Sequence, residues 1–252
     1  MPQEALLPSQ CLVAIFTYNN GDDLETTLSK IGPDFPFPVV VHVDGSTDGS
    51  DACLARFPFP VIRNQVNRGC GRSLKNAIAY ARDHGFKAIT PFAGNNKNDP
   101  NQAAKVFAPL LRDEADYVQG SRFLPGSRHD NTPLFRLVMV RAHAQFFSLL
   151  THRRLSDALE GVRAYRIAMF EDPYFDIWQP WLDGYELETY IHYKVLMRHD
   201  LRYVEVPMAK LYPKNKMGIL NPKGKKYSHI RPVVDWWNIL KPVLYLRLGV
   251  KK

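Results

Sequence analysis

Short runs of apolar and β-branched residues alternate along the chain with segments in which apolar residues recur at the spacing of an α-helix. The runs cover residues 12–17, 39–43, 61–62, 88–92, 117–120 and 201–206. Between the first two runs, Leu24, Leu28 and Ile31 recur at helical spacing, which predicts an amphipathic helix. Strands that alternate with helices at this interval predict a Rossmann-like α/β fold, with a mostly parallel, doubly wound central sheet and flanking helices.

Two further helices have recognisable ends. The apolar spacing over residues 74–81 predicts a helix that ends near Gly85, because glycine accepts the left-handed conformation that often follows a helix. Asp99 followed by Pro100 predicts the start of another helix, with a capping acid before proline at the first helical position. Ligands of doubly wound sheets bind at the carboxyl ends of the strands, so the polar residues after each run are the candidate site.

The positive charge of the chain is concentrated near its C-terminal end. The 252 residues carry a net charge of +8, and residues 210–252 contain eleven Lys or Arg against one acid, Asp235. We therefore predict a folded domain over residues 1–210 and a basic, amphipathic segment over residues 211–252, in which residues 212–227 form a mobile loop. The positive charge of this segment predicts an anionic partner. We expect that partner to be a membrane surface or phosphate groups, because the domain contains no nucleic-acid-binding motif.

Cysteine content and the N-terminus indicate the compartment. The three cysteines, Cys11, Cys53 and Cys70, show no paired spacing, which argues against a disulfide framework and predicts reduced thiols. The first ten residues lack the pattern of a signal peptide, and no run approaches the roughly 20 apolar residues of a membrane span. We expect a cytoplasmic protein, either soluble or peripheral on the cytoplasmic face of the membrane.

Polar and glycine-rich segments follow the predicted strands in a definite order. They are TYNN at 17–20, DGSTDGS at 44–50, NRGCG at 67–71, GNNKNDP at 94–100, GSRF at 120–123 and DALEGVRAYR at 157–166. This ordered set resembles the family-2 glycosyltransferases with the GT-A fold, and among them the synthases of dolichol- and polyprenol-phosphate sugars. The resemblance extends over about residues 11–209, and the segments around Asp44 and Arg163 are its most specific parts.

The resemblance implies a nucleotide site at the ends of the first two strands. Asp44 begins a turn rich in Gly, Ser and Asp, where a carboxylate can accept hydrogen bonds from a base or a ribose. This region holds the nucleotide in the family, which implies nucleotide contacts by Tyr18, Asn19 and Asp44, and further contacts by Arg68 and Gly69. The alternative for the segment at Asp44 is an ordinary turn, and the alternative for the segment at Gly69 is a turn that starts a helix.

The fourth strand departs from the family pattern. Family members carry Asp-x-Asp there, and the two carboxylates bind a divalent ion that bridges the donor diphosphate. Here these positions are Ala93 and Asn95, and Lys97 stands where glutamine is usual. A neutral amide replaces a carboxylate poorly on a hard cation. We therefore predict no metal ligand and no required cofactor, a nucleotide contact by Asn95, and neutralisation of the diphosphate by Lys97.

Two alternatives to a metal-independent transferase stay open. A site for Mg²⁺ or Mn²⁺ can be rebuilt from Asn95, Asp157 and the phosphates of the donor. The protein can also be an inactive relative that only binds a nucleotide sugar or a lipid.

Asp157 and Arg163 complete the predicted catalytic set. Asp157 and Glu160 lie in the segment that matches the acceptor-side loop of the family, and a carboxylate there can act as a base on a hydroxyl acceptor. A lipid phosphate needs no base, since its second pKa of about 6 leaves it ionised. Arg163 and Arg166 should face opposite sides of a strand, and we expect Arg163 to reach the ligand. The alternative for Asp157 is a turn or cap acid.

The resemblance thus implies an inverting hexosyltransferase that moves a sugar from a nucleotide-diphosphate donor to an acceptor. We expect polyprenyl phosphate as the acceptor, with a soluble hydroxyl compound as the alternative. A non-catalytic protein of the same fold and a nucleotidyltransferase are the competing classes. A nucleotidyltransferase would carry a glycine-rich, basic loop after the first strand, where this chain has Tyr18-Asn19-Asn20.

The C-terminal segment predicts an amphipathic helix that Pro232 can open and Pro242 should kink or end. Its apolar residues recur at helical spacing: Val233, Trp236, Trp237, Leu240 and Leu244. Tryptophans on an apolar stripe with basic flanks are typical of a membrane interface. The alternative is that the stripe packs on the domain or on a second subunit.

Overall fold

The computed structural model describes residues 5–212, 214 and 234–251. The predicted loop at 212–227, apart from Tyr212 and Lys214, and the predicted helix start at Pro232 and Val233 lie outside these residues. The strands are β1 (Cys11–Thr17), β2 (Val39–Asp44), β3 (Val61–Asn64), β4 (Ala88–Ala93), β5 (Tyr117–Ser121), β6 (Arg163–Arg166) and β7 (Tyr203–Pro207). The α-helices are α1 (Asp22–Leu28), α2 (Cys70–Asp83), α3 (Ala103–Leu111), α4 (Leu134–Thr151), α5 (Glu186–Met197) and α6 (Val234–Arg247).

The seven strands form one sheet in the order β3-β2-β1-β4-β6-β5-β7. All neighbouring pairs are parallel except those of β6, which runs antiparallel to both β4 and β5. The predicted fold class, an α/β fold with a mostly parallel central sheet, is confirmed. From β1 the chain adds β2 and β3 on one side and β4 and the later strands on the other. Because β1, β2 and β4 are parallel, their carboxyl ends lie next to each other at this point of reversal, as expected of a ligand-binding edge.

The sheet buries both of its faces. Val13 and Ile15 of β1 pack in one cluster with Phe107 of α3, whereas Leu12 and Ala14 pack in a second cluster on the opposite face. Alternate residues of a strand point to opposite faces, so a strand covered on both sides must be apolar throughout. This requirement explains why the sequence of β1 is an uninterrupted apolar run.

The helix predicted after β4 begins where expected. The side chain of Asp99 accepts a hydrogen bond from the backbone N–H of Asn101, and a 3₁₀ turn over Pro100–Gln102 leads directly into α3. Gly85 also takes its predicted place, with a φ of 76° just after the C-terminal end of α2. Both ends fix the loops that enter and leave β4, which carries the Ala93 position.

Helices α4, α5 and α6 form a layer next to β5 and β7. Nearly all of α5 is buried, and α6 packs against it. The ammonium of Lys241 lies 2.5 Å from the carboxylate of Glu186, and Val243 is buried against Phe147 and Tyr193. The helix continues through Pro242 to Arg247, so of the two predicted effects, a kink or an end, Pro242 does not end it. No helix in the described part of the chain is both long and apolar enough to cross a membrane.

Candidate active site

The loops after β1 and β2 are held together by side-chain hydrogen bonds. The amide oxygen of Asn19 accepts the backbone N–H of Thr47 at 2.8 Å, and the backbone N–H of Asn19 donates to Ser46. Asn19 takes a φ of 49°, a conformation that asparagine tolerates better than most residues. Tyr18 is exposed. The structure therefore places Tyr18 and Asn19 together at the edge where the nucleotide was predicted.

Asp44, at the carboxyl end of β2, organises the neighbouring loop. One of its oxygens accepts the backbone N–H of Arg68 at 2.9 Å and the side-chain amide of Asn64 at 2.7 Å. The other accepts the backbone N–H of Gly69 at 2.9 Å. Asp44 is only 5% exposed, so its carboxylate fixes the entry to α2 and presents the exposed Arg68 at the rim.

Gly69 and Gly71 lie against the loop that precedes α5. A Cβ at Gly69 would overlap the backbone oxygen of Asp183, and one at Gly71 would overlap that of Leu182. The carboxylate of Asp183 in turn bonds Lys75 at 2.7 Å and Arg72 at 2.8 Å, both on α2. The two glycines thus permit a close approach of backbone to backbone, which is a packing reason for them beside the predicted phosphate contact.

The loop after β4 does not offer the ligands of a divalent ion. Ala93 is exposed and has no ligand atom, and the amide oxygen of Asn95 accepts the backbone N–H of Lys97 at 3.3 Å. Among the described residues, no group of three or more His, Cys, Asp or Glu side chains is arranged to hold a metal. Mg²⁺ and Mn²⁺ prefer carboxylate oxygens, so the residues at this position do not fit the ion that the fold family places there.

A pair of cations borders the ring of Tyr212 instead. The ammonium of Lys97 and the guanidinium of Arg136 each lie 5.7 Å from the centre of that ring. Neither side chain forms an ion pair or hydrogen bond with a described residue, and the buried Nε of Arg136 has no acceptor. Burial, followed by the charges of Lys210 and Arg136, lowers the pKa of Lys97 to about 8. Crowded cations without acidic partners make a site for an anion.

Lys210 belongs to the same cluster but is neutralised. Its ammonium lies 2.9 Å from the carboxylate of Glu160, which is fully buried. The backbone N–H of Leu211 donates to the backbone oxygen of Lys97 at 2.8 Å. The segment after β7 and the loop after β4 are therefore joined, which keeps Tyr212 beside Lys97.

Asp157 forms a buried, bidentate ion pair with Arg122. Nε and Nη2 of Arg122 donate to its two oxygens at 2.6 and 2.8 Å, and neither side chain is more than 1% exposed. The backbone N–H groups of Leu159 and Glu160 donate to the same carboxylate. Burial alone would raise the pKa of Asp157, but the Arg122 charge lowers it. In this arrangement the carboxylate is fully engaged, which favours the turn-acid alternative over the predicted catalytic base.

Arg163 is likewise engaged with protein atoms. Its nitrogens donate to Gln119 at 2.6 Å, to Glu188 at 3.0 Å and to the backbone oxygen of Ala158 at 3.1 Å. Arg166 lies on the opposite side of the sheet, paired with Asp113, so the prediction that the two arginines face opposite sides is confirmed. Arg163 has no donor nitrogen left over in this arrangement, and it supports the site without pointing a free charge into it.

The sequence did not identify Arg136, Lys210 or Tyr212 as site residues. Arg136 lies in the first turn of α4, a helix that the apolar spacing did not reveal. Lys210 and Tyr212 lie just after β7, at the same edge of the sheet as the other site loops. The rule that ligands bind at strand ends predicts these two, because they follow the last strand.

Residues 12–173 match the model of glycosyl transferase family 2. Undecaprenyl-phosphate mannosyltransferase of Micrococcus luteus is 25% identical over 204 residues, which cover 79% of this chain and 82% of that protein. Polyprenol monophosphomannose synthase of Mycolicibacterium smegmatis is 22% identical over 235 residues, which cover 90% of this chain and 86% of that protein.

Solved structures show the same fold at lower identity. Mannosyl-3-phosphoglycerate synthase from Rubrobacter xylanophilus superposes with a TM-score of 0.65 at 15% identity, over 96% of this chain and 75% of that one. Glucosyl-3-phosphoglycerate synthase from Mycobacterium tuberculosis, in complex with Mn²⁺, UDP and phosphoglyceric acid, superposes with a TM-score of 0.63 at 15% identity, over 95% and 77% of the two chains. The family model covers well over half of this chain, including the loops after β1, β2, β3 and β4 and the segment with Asp157, and the chain belongs to glycosyl transferase family 2.

Proposed function

We propose that this protein transfers a hexose, with inversion, from a nucleotide-diphosphate sugar to polyprenyl phosphate. The names of the Micrococcus luteus and Mycolicibacterium smegmatis relatives support a polyprenyl phosphate acceptor. The observation that carries the proposal is the pair of cations, Lys97 and Arg136, which border Tyr212 at the strand-end edge and form no ion pair with a described residue. A reaction between a diphosphate donor and a phosphate acceptor brings several negative charges together, and fixed cations are required to hold them.

Lys97 takes the role that a divalent ion has in other transferases. It lies two residues beyond Asn95 on the loop after β4, and its ammonium is half-buried. The charge of Asp23 acts on it, but the ammonium forms no ion pair with a described residue. A fixed positive charge in a partly desolvated site stabilises the charge that develops on a departing diphosphate. We therefore propose a transferase in which Lys97, assisted by Arg136, neutralises the phosphates.

The transfer itself needs no general base. An oxygen of the acceptor phosphate attacks the anomeric carbon from the face opposite the leaving group, and its bond to carbon forms as the bond to the diphosphate oxygen breaks. The nucleoside diphosphate leaves with the electron pair, and no proton has to move, because a phosphate monoester is largely ionised at neutral pH. The engagement of Asp157 with Arg122 agrees with this chemistry. We assign Asp157 and Arg163 to positioning the acceptor-side loop.

The nucleotide binds, in this proposal, between the loops after β1, β2 and β3. Tyr18 is free to pack on a base, and Asn19 fixes the first loop to the second. Asp44 holds the backbone that presents Arg68 and Gly69. Asn95 borders the same edge on the loop after β4.

We also propose a peripheral location on the cytoplasmic face of a membrane, where the acceptor lipid is found. The exposed apolar residues of α6 support this location. Trp237 is 50% exposed, and Leu244, like Leu248 just after the helix, faces outward, whereas Ile239 and Val243 are buried. The helix therefore packs on the domain through one side and leaves an apolar side that no described residue covers.

The direct test is an assay of the purified full chain with UDP- and GDP-linked hexoses and polyprenyl phosphate in detergent, analysed by mass spectrometry. We expect a polyprenyl-phosphate hexose and release of nucleoside diphosphate, with the anomeric configuration opposite to that of the donor. Transfer of the nucleoside monophosphate to the acceptor, with release of hexose 1-phosphate, would instead identify a nucleotidyltransferase. Binding of a donor without any transfer would identify a non-catalytic relative. Either result would overturn the proposal.

A further inference from the structure

Helix α4 exposes a largely apolar face, in which Gln145 is an exposed polar residue. Of its outward side chains, Leu134, Phe135 and Leu149 are 76%, 74% and 77% exposed, and Val138 and Phe146 are also exposed. At 100° per residue these five positions fall within an arc of about 120° on the helix surface. The opposite side, which includes Val140 and Phe147, is buried against the domain. The outer side of this 18-residue helix is therefore an exposed apolar patch, and patches of this kind mark interaction sites.

The charged residues within the segment that forms this face are all positive. Residues 131–155 contain no Asp or Glu, and four arginines. Arg141 and Arg154 are exposed, and the guanidinium of Arg141 lies over the ring of Phe123 at 4.7 Å. Apolar side chains flanked by arginines, without acids, match a bilayer with anionic headgroups.

Helix α6 extends the same surface. Its Arg247 donates to the backbone oxygen of Leu150, at the end of α4, over 2.6 Å. The apolar side of α6, with Trp237 and Leu244, and the exposed Leu248 and Lys251 that follow the helix also combine apolar and basic residues. Two neighbouring helices thus present apolar and basic residues in the layer that covers α5.

The position of α4 connects this surface with the proposed site. Arg136, in the first turn of the helix, borders Tyr212 and contributes to the low pKa of Lys97. Leu134 and Phe135, the two residues before it, are among the most exposed apolar side chains of the described chain. A lipid surface seated on α4 would therefore meet the cation pair at the edge of the bilayer.

From these observations we infer that α4, with α6 beside it, is the surface that docks on an anionic membrane and delivers the lipid phosphate to Lys97 and Arg136. The inference rests on the proposed polyprenyl phosphate acceptor. A second copy of the chain fits this surface less well. In a twofold dimer the same patch meets itself, and the arginines of α4 would then face arginines, with no acid on the helix to pair with them.

The test is co-sedimentation of the full chain with vesicles of phosphatidylcholine containing phosphatidylglycerol, without donor or acceptor. The variants V138E and L149E each place a charge in the exposed apolar face. L7E is the matched control, because Leu7 is also apolar and 62% exposed but lies far from α4 in the sequence, before β1. We expect V138E and L149E to partition onto the vesicles about tenfold less than the native chain, and L7E to partition normally. Unchanged melting curves and nucleoside diphosphate affinity would show that the variants are folded.

Three results would overturn the inference. One is vesicle binding by V138E and L149E at the native level, and a second is failure of the native chain to bind anionic vesicles at low salt. The third is a solution dimer that V138E and L149E dissociate, which would assign the surface to a second copy. Transfer of sugar is measured separately, with polyprenyl phosphate in detergent. A chain that binds vesicles but transfers nothing would refute the proposed function and leave the docking surface standing.

Discussion

Arg122 and Asp157 form a two-bond ion pair, with distances of 2.6 and 2.8 Å, in which both side chains are buried. This pair joins the end of β5 to the loop before β6. Its burial bears on the role of Asp157, because a carboxylate held in this way cannot accept a substrate proton without first leaving its partner. We therefore expect loss of the Asp157 carboxylate to lower the stability of the fold rather than to remove a base from the reaction.

The variant D157N tests that expectation. It leaves Arg122 charged and buried, and removal of one partner of a buried pair costs about 3–5 kcal/mol of stability. Urea denaturation should show this loss. The matched control is E114Q, which breaks the solvent-exposed pair of Glu114 with Arg112 and should leave the midpoint unchanged. A different result would identify Asp157 as a base: a stable D157N protein whose pH–rate profile lacks the acidic limb that the native profile shows.

Asp44 should matter for donor binding through the loop that it holds. In D44N one of the two carboxylate oxygens becomes an NH₂ group, which cannot accept a hydrogen bond. The backbone N–H of either Arg68 or Gly69 therefore loses its acceptor. A lost bond to a charged group costs about 1.5–3 kcal/mol, and we expect UDP or GDP to bind at least about tenfold more weakly by calorimetry. The control D51N alters an acid of the following 3₁₀ turn and should bind normally. An unchanged dissociation constant for D44N would remove Asp44 from the site.

Most of the sheet could be predicted because a strand that is covered on both faces has a distinctive sequence. The run at 12–17 coincides with β1 except for Cys11, and the polar segments after β1, β2 and β4 do meet at one edge. The loops that border the site could be predicted for the same reason, because each of them follows the end of a strand. These features depend on local sequence, so one sequence is enough to reveal them.

Helix α4 was missed because its apolar residues occur on both sides. Val140 and Phe147 face the core while Val138 and Leu149 face outward, so no polar face marks the helical period. The engagement of Arg163 was also not predictable. Its partners Gln119 and Glu188 are 44 and 25 residues away in sequence, and only the folded sheet brings them to it. The roles of the predicted site residues remain predictions for the experiments described here.

His143 predicts how stability depends on pH. Burial lowers its pKa to about 4, and neither ring nitrogen has a hydrogen-bond partner among the described residues. The folded protein therefore binds a proton less readily than the unfolded chain, whose histidine titrates near pH 6.5. Stability should be fully present above that pH and should fall as the pH drops toward 4, by about 3 kcal/mol from this residue.

The variant H143F removes the titrating group and keeps a ring that can pack on Phe147, which lies 4.6 Å away between ring centres. Urea denaturation at about pH 7 and about pH 5 should show a smaller acid-induced loss for H143F than for the native chain. H199N, a change at an exposed histidine, should retain the native loss. An equal loss in all three proteins would show that His143 is not buried in its neutral form.

Lys97 predicts a loss of donor affinity at alkaline pH. Its pKa of about 8 arises from burial and from the charges of Lys210 and Arg136, which Asp23 offsets only in part. As the pH rises past this value the free protein loses the ammonium, so the diphosphate should bind about tenfold more weakly near pH 9. In K97R the guanidinium stays charged, and its affinity should remain constant over the same range. Parallel profiles for the two proteins would exclude Lys97 from the phosphate site.

The central claim is that Lys97 replaces the metal of other family members, and donor binding in the presence of EDTA tests it most directly. We expect the native chain to bind its nucleotide sugar equally well with EDTA and with Mn²⁺, and any transfer activity to follow the same pattern. K97A should weaken binding in EDTA by about tenfold or more, since it removes a charge-assisted contact, whereas N95A should have a smaller effect. A requirement for Mn²⁺ or Mg²⁺, or a K97A variant that binds and transfers normally, would contradict the account.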